Sequence, residues 1–228
     1  NLMTKKIFIT GCAKTGTTLL LRMSYAFKNA EVMYRTGYNG HELTLSEFLN
    51  VETDKKFMIG KRLPPFLLSN VEGPEFEDQL DWIRKNDIGI INVIRDGRDV
   101  VLSDGKYVKP ERWISSMVQR EKYADIIDME VKYEDLIKYP NNIQENMCNI
   151  FGLEKEHHFS KYPEYVQDWI YDWNVSVTGR AGKQESDYGK RQLSNASVGK
   201  DPFAYREICT PDQLAIFDEQ LKKAGYIK

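Results

Sequence analysis

Cysteine is scarce in this chain. Cys12, Cys148 and Cys209 lie far apart, and no C-x-x-C pair occurs. That excludes a small disulfide-stapled fold and fits a reducing, cytoplasmic setting. No apolar run is long enough to span a bilayer. Lys5 and Lys6 sit directly before the short apolar stretch 7–10, so no signal-peptide core is expected there. Asn1 and Leu2 ahead of Met3 read as an addition, which puts a single domain at 3–228. An excess of charge of one sign is missing as well. With 32 Lys and Arg against 34 Asp and Glu the net charge is −2, which excludes a broad nucleic-acid or membrane-binding surface but leaves room for a local basic pocket. Histidine occurs three times, and no His/Cys/Asp/Glu set has metal-ligand spacing. Internal repeats and low-complexity tracts are absent.

What is present is an alternation of strand and helix signals. Residues 5–10 read as a buried strand, 17–29 as a helix with Leu19, Leu20, Met23 and Phe27 on one face, and 32–34 as a short second strand. A further strand is expected at 56–60, and an amphipathic helix at 75–85. Residues 88–94 are a near-continuous Ile/Val run, as in a parallel strand covered on both faces. Helix is expected from Arg98 and over 110–124, strand over 128–133, and short helices through Phe151. Thr210-Pro211-Asp212-Gln213 starts a last helix, which carries Leu214, Phe217 and Leu221 on one face and stops at Gly225. The class is therefore α/β: a doubly wound, mostly parallel central sheet flanked by helices, with ligands beyond the carboxyl ends of the strands. Residues 178–201, rich in Gly, Ser, Lys and Arg, read as a long loop and a candidate lid.

Two strand ends carry the chemistry. The first strand runs into Gly11-Cys12-Ala13-Lys14-Thr15-Gly16-Thr17-Thr18, a small-residue loop that opens into a helix. That is the build of a phosphate cradle of backbone N–H groups. It departs from G-x-x-x-x-G-K-[ST], because Thr17 stands where the lysine belongs and Lys14 sits inside the loop. After the Ile/Val strand comes Arg95-Asp96-Gly97-Arg98-Asp99, with Ser103 eight residues beyond Arg95. Arg95 offers a fork suited to phosphate and Ser103 a hydroxyl donor. Two other readings stand beside this one: the four charged residues cap a helix and pair with each other, or Asp96 is a magnesium ligand of a P-loop kinase or NTPase.

Together these segments resemble the PAPS-dependent sulfotransferases, enzymes that use 3′-phosphoadenylyl sulfate. GCAKTGTT is similar to their 5′-phosphosulfate loop, and IRDGRDVVLS to their 3′-phosphate motif. VKYEDLIKYP (131–140) is similar to the segment whose tyrosine sits near adenine, and Ser197-Val198-Gly199-Lys200 to the late segment that closes over the 3′-phosphate. The resemblance implies a P-loop-like sulfotransferase fold and transfer of a sulfuryl group to a hydroxyl or amine acceptor, giving PAP without a metal. It implies that Ala13, Lys14, Thr15, Gly16, Thr17 and Thr18 wrap the 5′-phosphosulfate, with Lys14 on the bridging oxygen. Arg95, Ser103, Ser197, Gly199 and Lys200 would hold the 3′-phosphate, and Tyr133 would contact adenine.

The acceptor's proton needs a base. Cytosolic members carry K-T-H-L-P, with a basic histidine; here the place reads Gly60-Lys61-Arg62-Leu63-Pro64, and an always-charged arginine is a poor base. Glu42 is the first candidate and His41 the second, unless Glu42 only favours the start of the helix after Thr44. Lys61 and Arg62 are candidates to orient the acceptor. The Arg62 departure also leaves a non-catalytic PAP-binding module as a reading. His157 and His158 read as a solvated turn. The aromatics from Tyr162 to Trp173 read as core before they read as an acceptor platform. The acceptor is a small molecule, glycan or lipid, with no nucleic acid and no transmembrane segment expected.

Overall fold

A computed structural model describes residues 4–33, 52–61, 81, 83–102, 108–165 and 203–228. Its frame is a five-stranded sheet made of β1 (Lys5–Gly11), β2 (Ala30–Met33), β3 (Phe57–Lys61), β4 (Gly89–Ile94) and β5 (Met129–Lys132), in spatial order β2-β3-β1-β4-β5. Every neighbouring pair is parallel. All residues of β4 are buried, which explains why its sequence is continuously apolar rather than alternating.

Side chains of successive strand residues feed two cores. Ile7, Ile9, Ile91, Val93 and Val131 meet Leu19, Leu20 and Leu21 of α1 (Thr17–Met23) on one face. Ile143 and Met147 of α5 (Pro140–Phe151) join the same core. On the other face, Ile94 packs with Val100 of α2 (Gly97–Leu102), Trp113 and Met117 of α3 (Pro110–Lys122), and Phe217 and Leu221 of the last helix (Pro211–Lys223). Trp113 and Phe217 are fully buried, with ring centroids 4.4 Å apart. Each such side chain contributes about 1.5–3 kcal/mol on burial. The last helix opens as its sequence predicts: Thr210 Oγ1 accepts from the Gln213 N–H, the Gln213 side chain accepts from the Thr210 N–H, and Pro211 fills the first position.

Because α1 leaves β1 on one face and α2 leaves β4 on the other, the β1/β4 boundary is the point where the winding reverses. A crevice at the carboxyl ends of those two strands is the place for a ligand in such a sheet.

Several boundaries shift by one or two residues, and two differences bear on how the chain is held. The helix expected to reach residue 29 ends at Met23, and residues 24–26 form a single tighter 3-10 turn. Ser24 Oγ donates to the Leu20 carbonyl at 2.8 Å, and Phe27 is extended. The Asn29 side chain is held by remote groups, donating to the Gly152 carbonyl and accepting from the Glu154 N–H. Tertiary bonds therefore take over from helix periodicity, and Phe27 reaches the core from an extended segment. The strand expected to run to Tyr133 ends at Lys132, and Tyr133 begins α4 (Tyr133–Lys138). Tyr162, which opens α6 (Tyr162–Tyr165), is wholly buried and belongs to the core; His157 and His158 are exposed, as expected of a polar turn.

Candidate functional site

The loop after β1 is shaped by backbone conformations that few residues adopt. Lys14 has φ 70°, in the left-handed region, and Gly16 has φ 102°. A turn closes between them and the strand, with Thr15 donating to the Cys12 carbonyl through both its N–H (3.3 Å) and its hydroxyl (2.7 Å). Thr15 and Thr17 are buried, whereas Lys14 is exposed at the tip. A strained lysine held at the surface of a glycine-flanked loop fits a functional cation better than a packing residue.

The second grip lies beside it. Gly11 pairs with Val93 across the β1/β4 boundary, so both strands deliver their loops to one rim. The Arg95 guanidinium donates through Nη1 to the Lys14 carbonyl at 3.2 Å, reaches the Asp99 carboxylate at 3.8 Å, and lies 4.3 Å from the Tyr133 ring centroid. Tyr133 is buried and closes against the loop: a Cβ on Gly16 would stand 2.5 Å from its Cδ2. Loop, arginine and tyrosine therefore meet at the carboxyl ends of β1, β4 and β5. Part of the Arg95 fork supports the loop itself, a role that its place after a strand did not suggest. Burial holds the Tyr133 phenol above its ordinary pKa.

The acidic residues here are partnered by side chains. Asp96 Oδ1 accepts from the Arg98 N–H at 3.0 Å, capping α2, and both its carboxylate oxygens accept from the Arg98 guanidinium. The helix-cap reading of Asp96 and Arg98 thus holds together with the proximity of Arg95 to the loop. The Asp96 N–H donates to Glu134 Oε1 at 3.1 Å, and Trp113 Nε1 donates to the Arg95 carbonyl at 3.2 Å. Sequence reasoning missed Trp113 and Glu134. Asp99 is among the four charged residues expected to pair with each other, and its ion pair with Arg95 agrees.

Lys61 is buried at the carboxyl end of β3, paired in register with Ile9. Ser103, Glu42, His41, Arg62, Ser197, Gly199 and Lys200 lie outside the described residues, as does the expected loop at 178–201. Among the described residues no His/Cys/Asp/Glu cluster could hold a metal ion, and no helix is long and apolar enough to cross a membrane. A cleft of about 430 Å³ lined by Arg120, Glu121, Ala124, Ile127 and Glu130 lies toward the amino end of β5, and within it Arg120 is ion-paired with Glu130.

Cys12 sits in the loop but is chemically quiet. Burial pushes its thiol up to about 12 from 9.0. It stays protonated at neutral pH and is no nucleophile. The folded-state value lies above the unfolded one, so the stability linked to this thiol is complete below pH 9 and is lost as pH rises toward 12. Denaturant unfolding should show falling stability above pH 9. At pH 8 a thiol reagent should label the half-buried Cys148 and Cys209 before the buried Cys12; rapid labelling of Cys12 in the folded protein would contradict this.

No family model and no curated protein matches the sequence. Solved structures do. Mouse sulfotransferase SULT7A1 complexed with PAP aligns with 96% of this chain and 84% of its own, at TM-score 0.52 and 14% identity. The fold is that of a sulfotransferase. Retinol dehydratase, in one complex with androsterone and PAP and in another with retinol and PAP, also aligns. Each covers 98% of this chain and 82% of its own at 13% identity, with TM-scores of 0.43 and 0.45. In this chain the loop at 11–18 and the turn at 95–99 follow the carboxyl ends of the neighbouring strands β1 and β4.

Proposed function

We propose that the protein is a sulfotransferase that moves a sulfuryl group from PAPS to a hydroxyl or amine acceptor. The observation that carries this reading is the junction of Lys14, Arg95 and Tyr133: one guanidinium touches the loop carbonyl and lies against the tyrosine ring. Two cationic groups at neighbouring strand tips suit a ligand that carries phosphate at both ends of one nucleoside. The PAP named with the mouse neighbour has this character.

Lys14 acts on the leaving group. As the S–O bond breaks, charge builds on the bridging oxygen of the departing phosphate, and a cation held there beforehand lowers the barrier. The sulfuryl group itself carries less charge than a phosphoryl group, so the reaction needs no bridging metal. Ala13 and Thr15 through Thr18 wrap the 5′-phosphosulfate. Arg95, with Ser103, Ser197, Gly199 and Lys200, holds the 3′-phosphate, and Tyr133 contacts the adenine side. Glu42, or failing it His41, takes the acceptor proton. A magnesium role for Asp96 is disfavoured because both its oxygens already accept from Arg98.

The test is sulfuryl transfer from PAPS to a panel of hydroxyl and amine acceptors in the presence of EDTA. PAP and sulfated product should form at a rate the chelator leaves unchanged, and Glu42→Gln should lower that rate at least tenfold. Magnesium-dependent ATP turnover in place of PAPS turnover would overturn the reading. Full activity in both Glu42→Gln and His41→Ala would move the proton to another group.

A further inference from the structure

The peptide unit between Arg95 and Asp96 is pinned at both of its polar ends by side chains. Its carbonyl accepts from Trp113 Nε1 at 3.2 Å, and its N–H donates to Glu134 Oε1 at 3.1 Å. Trp113 is fully buried against Phe217, and Gly97 is close enough that an added Cβ would stand 2.6 Å from the indole. Glu134 is only half buried and has a hold of its own: Oε2 accepts from the Tyr226 hydroxyl at 3.2 Å.

Tyr226 belongs to the segment that follows the last helix. That helix turns off at Gly225, with φ 76°, where the Gly225 N–H donates to the Lys222 carbonyl and the Tyr226 N–H to the Leu221 carbonyl. This double bond pattern reverses the chain. The reversed segment is then tied to the site in two further places. Lys132 Nζ donates to the Ala224 carbonyl at 2.9 Å and lies 5.1 Å from the Tyr226 ring, and Arg98 Nη2 reaches the Tyr226 carbonyl at 3.4 Å. Burial and the Glu134 carboxylate hold the Tyr226 phenol well above its ordinary pKa, so it remains a donor.

We propose that Glu134 and Tyr226 are positioning residues: together they form a strut from the segment after the last helix to the Arg95–Asp96 peptide, and they set the selectivity of the site for a nucleotide bearing a 3′-phosphate. This rests on the nucleotide reading above. The physical link is short. Holding the peptide plane holds the rotation about the Arg95 backbone, and so the direction in which the guanidinium leaves it. A fork displaced by about 1 Å loses much of what an oriented charged bond supplies. The 5′ side of the site depends on this strut less: Arg95 touches the loop at 11–18 only through the Lys14 carbonyl, and the loop's turn is closed by its own bonds from Thr15 to the Cys12 carbonyl.

The experiment is calorimetric titration of the full chain with PAP and with 5′-AMP, which lacks the 3′-phosphate, combined with amide exchange at Asp96 in the nucleotide-free protein. Glu134→Ala should weaken PAP about tenfold, near 1.4 kcal/mol, leave AMP within twofold, and speed exchange of the Asp96 N–H. Glu134→Gln should restore most of the PAP affinity, because its amide oxygen still accepts from Asp96 and its NH₂ donates to the phenol oxygen. Tyr226→Phe, a change of one atom, should shift the PAP-to-AMP ratio in the same direction by a smaller factor. Equal weakening of both nucleotides would assign Glu134 to stability alone and overturn the proposal, as would unchanged PAP affinity with unchanged Asp96 exchange. If PAP fails to bind the unmodified protein, the nucleotide reading falls and the selectivity claim with it. Exchange at Asp96 still reports separately whether the strut holds the peptide.

Discussion

Gly16→Ala is expected to abolish nucleotide binding and lower the melting temperature by several degrees. Two penalties act together. At φ 102° an L side chain is strained, which costs about 1–3 kcal/mol. The new Cβ would also meet Tyr133 Cδ2 at 2.5 Å and Cε2 at 3.1 Å. The tyrosine has little room to retreat, since it is buried in the core and its ring lies 4.3 Å from the Arg95 guanidinium. Overpacking of this kind costs about 1–3 kcal/mol more. At this chain length each kcal/mol moves the midpoint by about 2–4 °C. Gly152→Ala is the control, because Gly152 also has positive φ but its nearest outside atom would be an ordinary 3.8 Å away. Differential scanning calorimetry should show the larger drop for Gly16→Ala. Equal drops would mean that Tyr133 does not press on the loop.

Lys14→Gly is expected to separate activity from stability. The φ of 70° is unfavourable for lysine and free for glycine, which is worth about 1 kcal/mol in the folded state. Glycine's greater freedom in the unfolded chain offsets about 0.4–1 kcal/mol of that. The side chain is exposed, so no core contact is lost. The midpoint should therefore stay within about 2 °C. Sulfuryl transfer should fall about 10²–10³-fold, the usual loss when one preorganised charge at a reacting oxygen is removed. Steady-state turnover of PAPS and a thermal melt on the same preparation check both halves. A variant that keeps full turnover would remove Lys14 from the mechanism, and one that unfolds would make its strain structural.

Much of this arrangement can be read from local sequence. The Ile/Val run of β4 announces a strand covered on both faces, and the small-residue loop after β1 announces a phosphate-cradling turn into a helix. Arg95 directly after β4 then has to lie on the same rim as Lys14, because parallel neighbours end together. What could not be read is the set of contacts made across long stretches of chain. Asn29 leaves helical geometry for Gly152 and Glu154, so the helix after the loop stops six residues early. Tyr133 falls at a helix start rather than in a strand, and its pressure on Gly16 has no pattern along the chain. Glu134 reads as an ordinary first-turn acid of α4, yet it joins Asp96 to Tyr226. Glutamate at a helix start is common for dipole reasons alone, so residue type and position carried no mark of the bridge. The roles of Glu42, His41, Ser103, Ser197, Gly199 and Lys200 rest on resemblance, and Glu42→Gln and His41→Ala test the two candidate bases.

Two anion grips share one nucleotide, and isothermal titration of the unmodified protein with PAP in EDTA, set against ATP with magnesium, tests this most directly. PAP should bind one to one without metal, magnesium-ATP should bind at least tenfold more weakly, and Arg95→Ala should remove most of the PAP heat. Tight binding of magnesium-ATP that disappears on chelation, with no heat from PAP, would contradict it.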